Sequence, residues 1–193
     1  MGSHPRSDGR LVLITDLDRF KATMPLSLLM PNVRTFYSPQ DQVHEVLKLV
    51  LGSARISVVV AMFGYDDDEL AAILDRQLKN PLMHVQITLD RSQAGGVHEK
   101  ALLDKYKAEM TGNSIAIGTS EHSAIMHRKM VIVDGAWRIS GSTNWSTSGE
   151  SLQDNELTVI YAPAECVEAR AILDIEHANA LSQMAARAVK AAE

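Results

Sequence analysis

The chain has 193 residues, 46% of them hydrophobic and only 5% aromatic, which suits one domain whose core is filled by aliphatic side chains. A formal net charge of −5 and a pI near 5.8 exclude a globally positive field, so any attraction for phosphate has to be local. The lone cysteine, Cys166, excludes an intrachain disulfide, and no apolar run approaches the ~20 residues of a membrane span.

Met1-Gly2-Ser3-His4 is compatible with a tag remnant. The N-terminus lacks the basic-then-apolar order of a signal peptide, so the expected location is cytoplasmic unless a leader has been removed. Residues 1–32 read as an N-terminal extension and 33–193 as the catalytic domain. In the extension Leu11 to Ile14 suits a strand, and Met24-Pro25 to Met30-Pro31 is an apolar stretch bounded by prolines. Ser38-Pro39 predicts a helix cap with proline at the first helical position, and Val43, Val46, Leu47, Val50 and Ala54 form one stripe ending near Gly52.

Ile56 to Met62 is apolar on both sides and is expected to be a central strand. A helix from Asp67 to Leu78 turns Leu70, Ile73, Leu74 and Leu78 inward, and Pro81 closes it. Val85, Ile87 and Leu89 alternate as a strand, Val97 to Met110 is a helix stopped by Gly112, and Ile115 to Ile117 is a short strand. A hairpin follows, then a strand from Glu156 to Tyr161 and an alanine-rich helix from Pro163 onward. Alternating strands and helices predict an α/β domain with a mixed, mostly parallel sheet and helices on both faces.

The hairpin carries the chemistry. His127 and Lys129, two apart in an extended segment, point to the same side. Met130 to Val133 is an apolar strand, Asp134-Gly135 is a turn signal, and Trp137 to Ser140 runs back. With Gly135-Ala136 as a two-residue loop, Lys129 faces Ser142 and His127 faces Asn144, and an Asp134-Gly135 loop keeps the same parity. An imidazole, an ammonium, a hydroxyl and an amide then converge on one patch that suits a phosphodiester. Asp134 has the opposite parity and is expected to support the hairpin.

Here the chain resembles the phospholipase D superfamily, whose signature H-x-K-x4-D-x6-G-S-x-N is matched by His127, Lys129, Asp134, Gly141, Ser142 and Asn144. Phe36-Tyr37-Ser38-Pro39, the strand Ile56 to Met62 and Asn155-Glu156 are similar to the small bacterial endonucleases of that superfamily, so the likeness covers roughly residues 33–181. It implies a phosphodiesterase with His127 as nucleophile and Lys129 and Asn144 on the non-bridging oxygens. Glu156, on a strand expected beside the hairpin, would sit under the His127 ring and fix its tautomer. Arg91, ending the Val85 to Asp90 strand, is a candidate substrate contact.

One histidine cannot both attack phosphorus and protonate the leaving group from the opposite side. Single-motif members of the superfamily solve this as homodimers that share a site, and this chain is expected to do likewise, with no metal and no cofactor. The expected substrate is DNA or RNA, and the alternative is a phospholipid. His98-Glu99-Lys100 with Asp104 behind it is a near-copy of the motif, but in a helical pattern residues two apart diverge by ~200°. Asp66 to Glu69 suits a helix cap and first turn better than a metal site. His4, His44, His84, His122 and His177 show no metal-ligand spacing, and His122 reads as a loop residue.

Overall fold

The computed structural model describes residues 11–23, 30–93 and 113–192. Strand β1 (Val33–Ser38) leads to helix α1 (Val43–Gly52), β2 (Ser57–Met62), the short β3 (Tyr65–Asp66), α2 (Asp68–Leu78) and β4 (His84–Asp90). After residue 112 come β5 (Ser114–Gly118), β6 (Lys129–Val133), β7 (Trp137–Gly141), β8 (Trp145–Ser146), α3 (Thr147–Ser151), β9 (Asn155–Tyr161) and α4 (Pro163–Ala192). The helix expected over Val97 to Met110, with its His98 near-motif, lies outside the described residues. So do His4 and residues 24–29 of the proline-bounded stretch.

Seven strands form one sheet in the order β1-β9-β7-β6-β2-β4-β5, and β3 pairs with β8 separately. The α/β architecture is as expected, but the sheet is mixed rather than mostly parallel. Only β2–β4 and β4–β5 run parallel within it, while β1–β9, β9–β7, β7–β6 and β6–β2 are antiparallel. The cause is connection length: β2 reaches β4 across a helix, whereas β6 and β7 are joined by a tight turn, which only antiparallel neighbours allow.

Strand parity assigns the two faces. Val58, Val60, Met62, Val131, Val133 and Leu157 join the core that includes Val46, Leu47 and Val50 of α1 and Leu70 and Leu74 of α2. Val59, Ala61 and Ile132 turn the other way, onto Cys166 and Leu173 of α4. Each buried Val, Leu, Ile or Met among them contributes about 1.5–3 kcal/mol. Asp67 caps α2 by accepting the Leu70 amide at 2.7 Å, as the acidic run suggested.

Two N-terminal expectations are corrected. Residues Ile14–Phe20 form a 3-10 helix rather than extending a strand from Leu11, and this helix buries Leu17 and Phe20. Pro39 does not open α1. It lies in a turn, joined to Ser38 by a cis peptide bond, and α1 begins at Val43. Asp41 organises this corner, accepting from Lys21 Nζ at 2.8 Å and from the amides of Ala22 and Tyr37 at 2.7 and 2.9 Å.

Strand directions bring the chemistry-bearing residues to one edge. Met62 at the end of β2 pairs with Leu89 near the end of β4 and with Lys129 at the start of β6. The carboxyl ends of the parallel strands therefore meet the beginning of the motif, the position where open α/β sheets place their ligands.

Candidate active site

The motif hairpin turns through three residues, Asp134, Gly135 and Ala136, because Val133 pairs with Trp137. Asp134 and Gly135 both take positive φ, 52° and 62°. A three-residue turn shifts the register by one from the two-residue turn expected, so Lys129 falls opposite Gly141 rather than Ser142.

The shift gives Ser142 a different task from the one expected. Its hydroxyl donates to Asn155 Oδ1 at 2.9 Å and accepts from the Glu156 amide at 3.0 Å. Thr143 Oγ1 donates to the Glu156 carbonyl at 3.0 Å. Together they latch the segment leading to Asn144 onto the start of β9. Gly141 permits the crossing: a Cβ there would lie 2.0 Å from the Glu156 carbonyl oxygen.

His127 is exposed and Lys129 is buried to 7% exposure, yet both pack on Phe63, the residue that follows β2. The His127 and Phe63 rings meet edge-on with centroids 4.7 Å apart, and Lys129 Nζ stands 4.9 Å from the Phe63 centroid. The Phe63 amide donates to the Arg128 carbonyl at 2.8 Å, extending the β2–β6 ladder to the motif. Lys129 Nζ donates to the His127 carbonyl at 3.2 Å, and burial pushes the ammonium's pKa down.

Asn144 reaches the same edge from the other side. The Trp145 amide donates to the Gly64 carbonyl at 2.9 Å, and β3 pairs with β8, so Asn144 is held against Gly64. A Cβ on Gly64 would approach the Asn144 side chain to 3.0 Å, so a larger residue would have to shift the Asn144 amide. Asn144 Oδ1 is buried without a hydrogen-bond partner. Phe63-Gly64 thus separates the His127–Lys129 pair from Asn144. Neither residue was singled out in the sequence, although their place directly after a central apolar strand was the available signal.

Two other expected site residues fall elsewhere, and a third keeps to the site's edge of the sheet. Glu156 does not reach His127: it is exposed, accepts the Thr158 hydroxyl at 3.2 Å, and shares strand parity with Met130 rather than Lys129. Strand β7 also stands between β9 and β6, so the carboxylate is one strand too far and on the wrong face. Asp134 lies at the far end of β6, roughly 20 Å from His127 at ~3.3 Å per residue. Its carboxylate accepts the amides of Arg55, Ile56 and Ser57 at 2.8–3.1 Å, the supporting role that its parity implied. Arg91 is exposed at the site's edge of the sheet, where its amide donates to the Gly118 carbonyl at 2.7 Å.

Asp90 was not anticipated. Fully buried at the end of β4, it accepts the Met126 amide at 2.5 Å and both the amide and hydroxyl of Ser92, at 2.8 and 2.5 Å. The residue before His127 is thereby tied to the central sheet. Arg128 turns away and pairs with Glu176 of α4 at 2.7 Å. A cavity of about 790 Å³ opens beside the motif, lined by His122, Ile125, His127, Lys129, Ile172 and Ile175 among others.

The family described as cardiolipin synthase, PLD-like domain, matches residues 47–175. A mitochondrial cardiolipin hydrolase of Chlamydomonas reinhardtii is 28% identical over 114 residues, covering 58% of this chain and 48% of that protein. A phospholipase D of Rickettsia bellii (strain RML369-C) is 26% identical over 131 residues, covering 66% of this chain and 60% of that protein. The match stops well short of either relative's full length. Among solved structures, Nuc from Salmonella typhimurium, a phospholipase D family member, superposes with a TM-score of 0.63 at 20% identity, covering 77% of this chain and 94% of that one. That likeness is one of fold.

Proposed function

The chain belongs to the phospholipase D superfamily, and on that footing we propose that it is a metal-independent nuclease that cleaves DNA or RNA through a phosphohistidine on His127. The observation that carries this reading is the shared Phe63 ring, which holds an exposed imidazole and a buried ammonium side by side at an open sheet edge. Lys129 and Asn144 bind the non-bridging oxygens, and their partial desolvation strengthens that contact as charge develops. A ring nitrogen of His127 attacks phosphorus, and the bond to the leaving oxygen breaks. The proton for that oxygen comes from His127 of a second copy, which then activates water to release the phosphate from the first.

The site is therefore shared across a homodimer, and the exposed Arg91 contacts a neighbouring phosphate. Ser142 holds the segment leading to Asn144, Asp134 braces the far end of the hairpin, and neither touches the reacting atoms. The catalytic domain is assigned to residues 33–193, preceded by an extension whose 3-10 helix, Ile14–Phe20, packs on β1 and α1. The exposed His127 and Arg91 at this edge of the sheet favour an extended polyanion. A second reading, a lipid phosphodiesterase, is favoured by Ile125, Ile172 and Ile175 around the neighbouring cavity and by the names of the two curated relatives.

Incubation in EDTA with plasmid DNA, single-stranded RNA, and phosphatidylcholine or cardiolipin vesicles separates the readings. Nucleic-acid cleavage that is lost in His127→Ala is the expected result. Turnover of vesicles alone would assign the chain to lipids, and a divalent ion required in the chemical step itself, seen as turnover set by the ion's Lewis acidity in folded protein, would overturn the two-histidine chemistry.

A further inference from the structure

A second cluster lies where α1, α2 and α3 meet. His44 in the first turn of α1 contacts Glu150 of α3 through Nδ1, and the same nitrogen is 3.4 Å from Asp67 Oδ2. One donor atom from each of the three residues falls within 4.8 Å of the others. On the opposite side of the ring, Nε2 is 3.7 Å from Glu69, which Lys48 engages at 2.6 Å.

Glu150 is the telling member. Its side chain keeps 1% exposure, one oxygen rests on His44, and the other is buried with no hydrogen-bond partner. The nearby Ser146 amide donates to the Asn144 carbonyl at 3.0 Å. A buried carboxylate oxygen without a donor is costly unless something cationic completes it.

We propose that His44, Asp67 and Glu150 form a binding site for one divalent cation of the zinc or manganese class. Two carboxylates supply the charge that balances the ion, and an imidazole beside them selects borderline metals over magnesium or calcium. The 3.4 Å spacing of His44 Nδ1 and Asp67 Oδ2 is close to the ~3.3 Å between two tetrahedral ligands at bond lengths of ~2.0–2.1 Å, and the ion would replace the direct contact between His44 Nδ1 and Glu150. Three protein ligands leave a position for water. The histidine spacing in the sequence gave no sign of the site because each ligand comes from a different element. Its effect is structural: α3 starts three residues after Asn144, so an ion here pins the segment that carries Asn144 to α1 and α2.

The test measures binding, not turnover, and so stands apart from the proposed chemistry at His127. Metal-free full-length protein is titrated calorimetrically with zinc chloride and, separately, manganese chloride. One saturable site per chain and a rise of several degrees in Tm are expected. Glu150→Gln and Asp67→Asn should each weaken binding by at least ~100-fold. Asparagine still caps α2, so loss of binding in that variant is not loss of the helix. His122→Asn and His84→Asn should bind like wild type. Zinc-edge X-ray absorption of the wild-type complex should show a single imidazole among oxygen ligands. Absence of saturable binding below millimolar ion, unchanged binding in both carboxylate variants, loss in a control histidine variant, or sulfur in the zinc shell would each overturn the proposal.

Discussion

His127 and Lys129 share a parity and a neighbour but not an environment, and that difference predicts how their variants fail. His127 is exposed, so His127→Ala should leave the thermal transition within a degree or two while cutting turnover by at least ~10³-fold. Lys129 is buried against Phe63, and under the proposed chemistry its loss acts on charge that develops in the transition state. Lys129→Ala should lower kcat by ~10²–10³-fold and raise the substrate Kd far less. Equal losses in affinity and kcat/KM at constant kcat would assign Lys129 to ground-state binding instead. The histidine and lysine were legible because a spacing of two in extended chain turns both to one side, although only Lys129 lies within β6. Ser142 and Glu156 were misplaced because parity beyond a turn depends on its length, and Asp134-Gly135-Ala136 adds a residue that Asn-Gly-like turn chemistry does not announce.

At the level of elements, the amphipathic stripes of α1 and α2 and the two-sided apolar run of β2 could be read directly, because burial imposes their periods. What escaped was polar stapling between elements. Asp90 gathers the Met126 amide and Ser92 beneath the motif, and Asp90→Ala would leave that buried amide unpaired. A loss of about 1–3 kcal/mol in stability is expected, with a fall in kcat larger than any change in Kd as the His127 segment loosens. Urea denaturation and steady-state kinetics on the same preparation check both. The α4 helix is stapled by His177, which sits between Thr88 Oγ1 at 2.9 Å and Ser114 Oγ at 2.6 Å. Burial holds its pKa below the usual histidine value, against the attraction of Asp174. A depressed folded pKa means the neutral ring's contribution is present above the unfolded value of ~6.5 and is lost as pH falls through the folded one. Stability should drop between pH 7 and pH 5, and His177→Asn should flatten that slope. An identical slope in the variant would remove His177 from the account.

For the whole molecule the decisive fact is arithmetic: a substitution at phosphorus needs a nucleophile and an acid on opposite sides, and the described residues place one histidine of the motif at the sheet edge. His122 lines the neighbouring cavity but belongs to a loop, without the paired lysine that grips phosphate. A two-fold axis past the His127 edge would bring two imidazoles and two ammonium groups together, concentrating positive charge in a chain of formal net charge −5. Substrate affinity should therefore fall as salt rises, with a slope set by the few local cations rather than by the total. Subunit exchange gives the sharper check. Mixing equal amounts of wild type and His127→Ala and allowing exchange leaves about one quarter of dimers with both histidines, by random association of a two-fold assembly. If each site needs one histidine from each copy, activity should fall to about half of that in an unexchanged mixture. Activity unchanged by exchange, or full activity in a species that sediments as a monomer, would reject the shared site and make His122 the candidate acid.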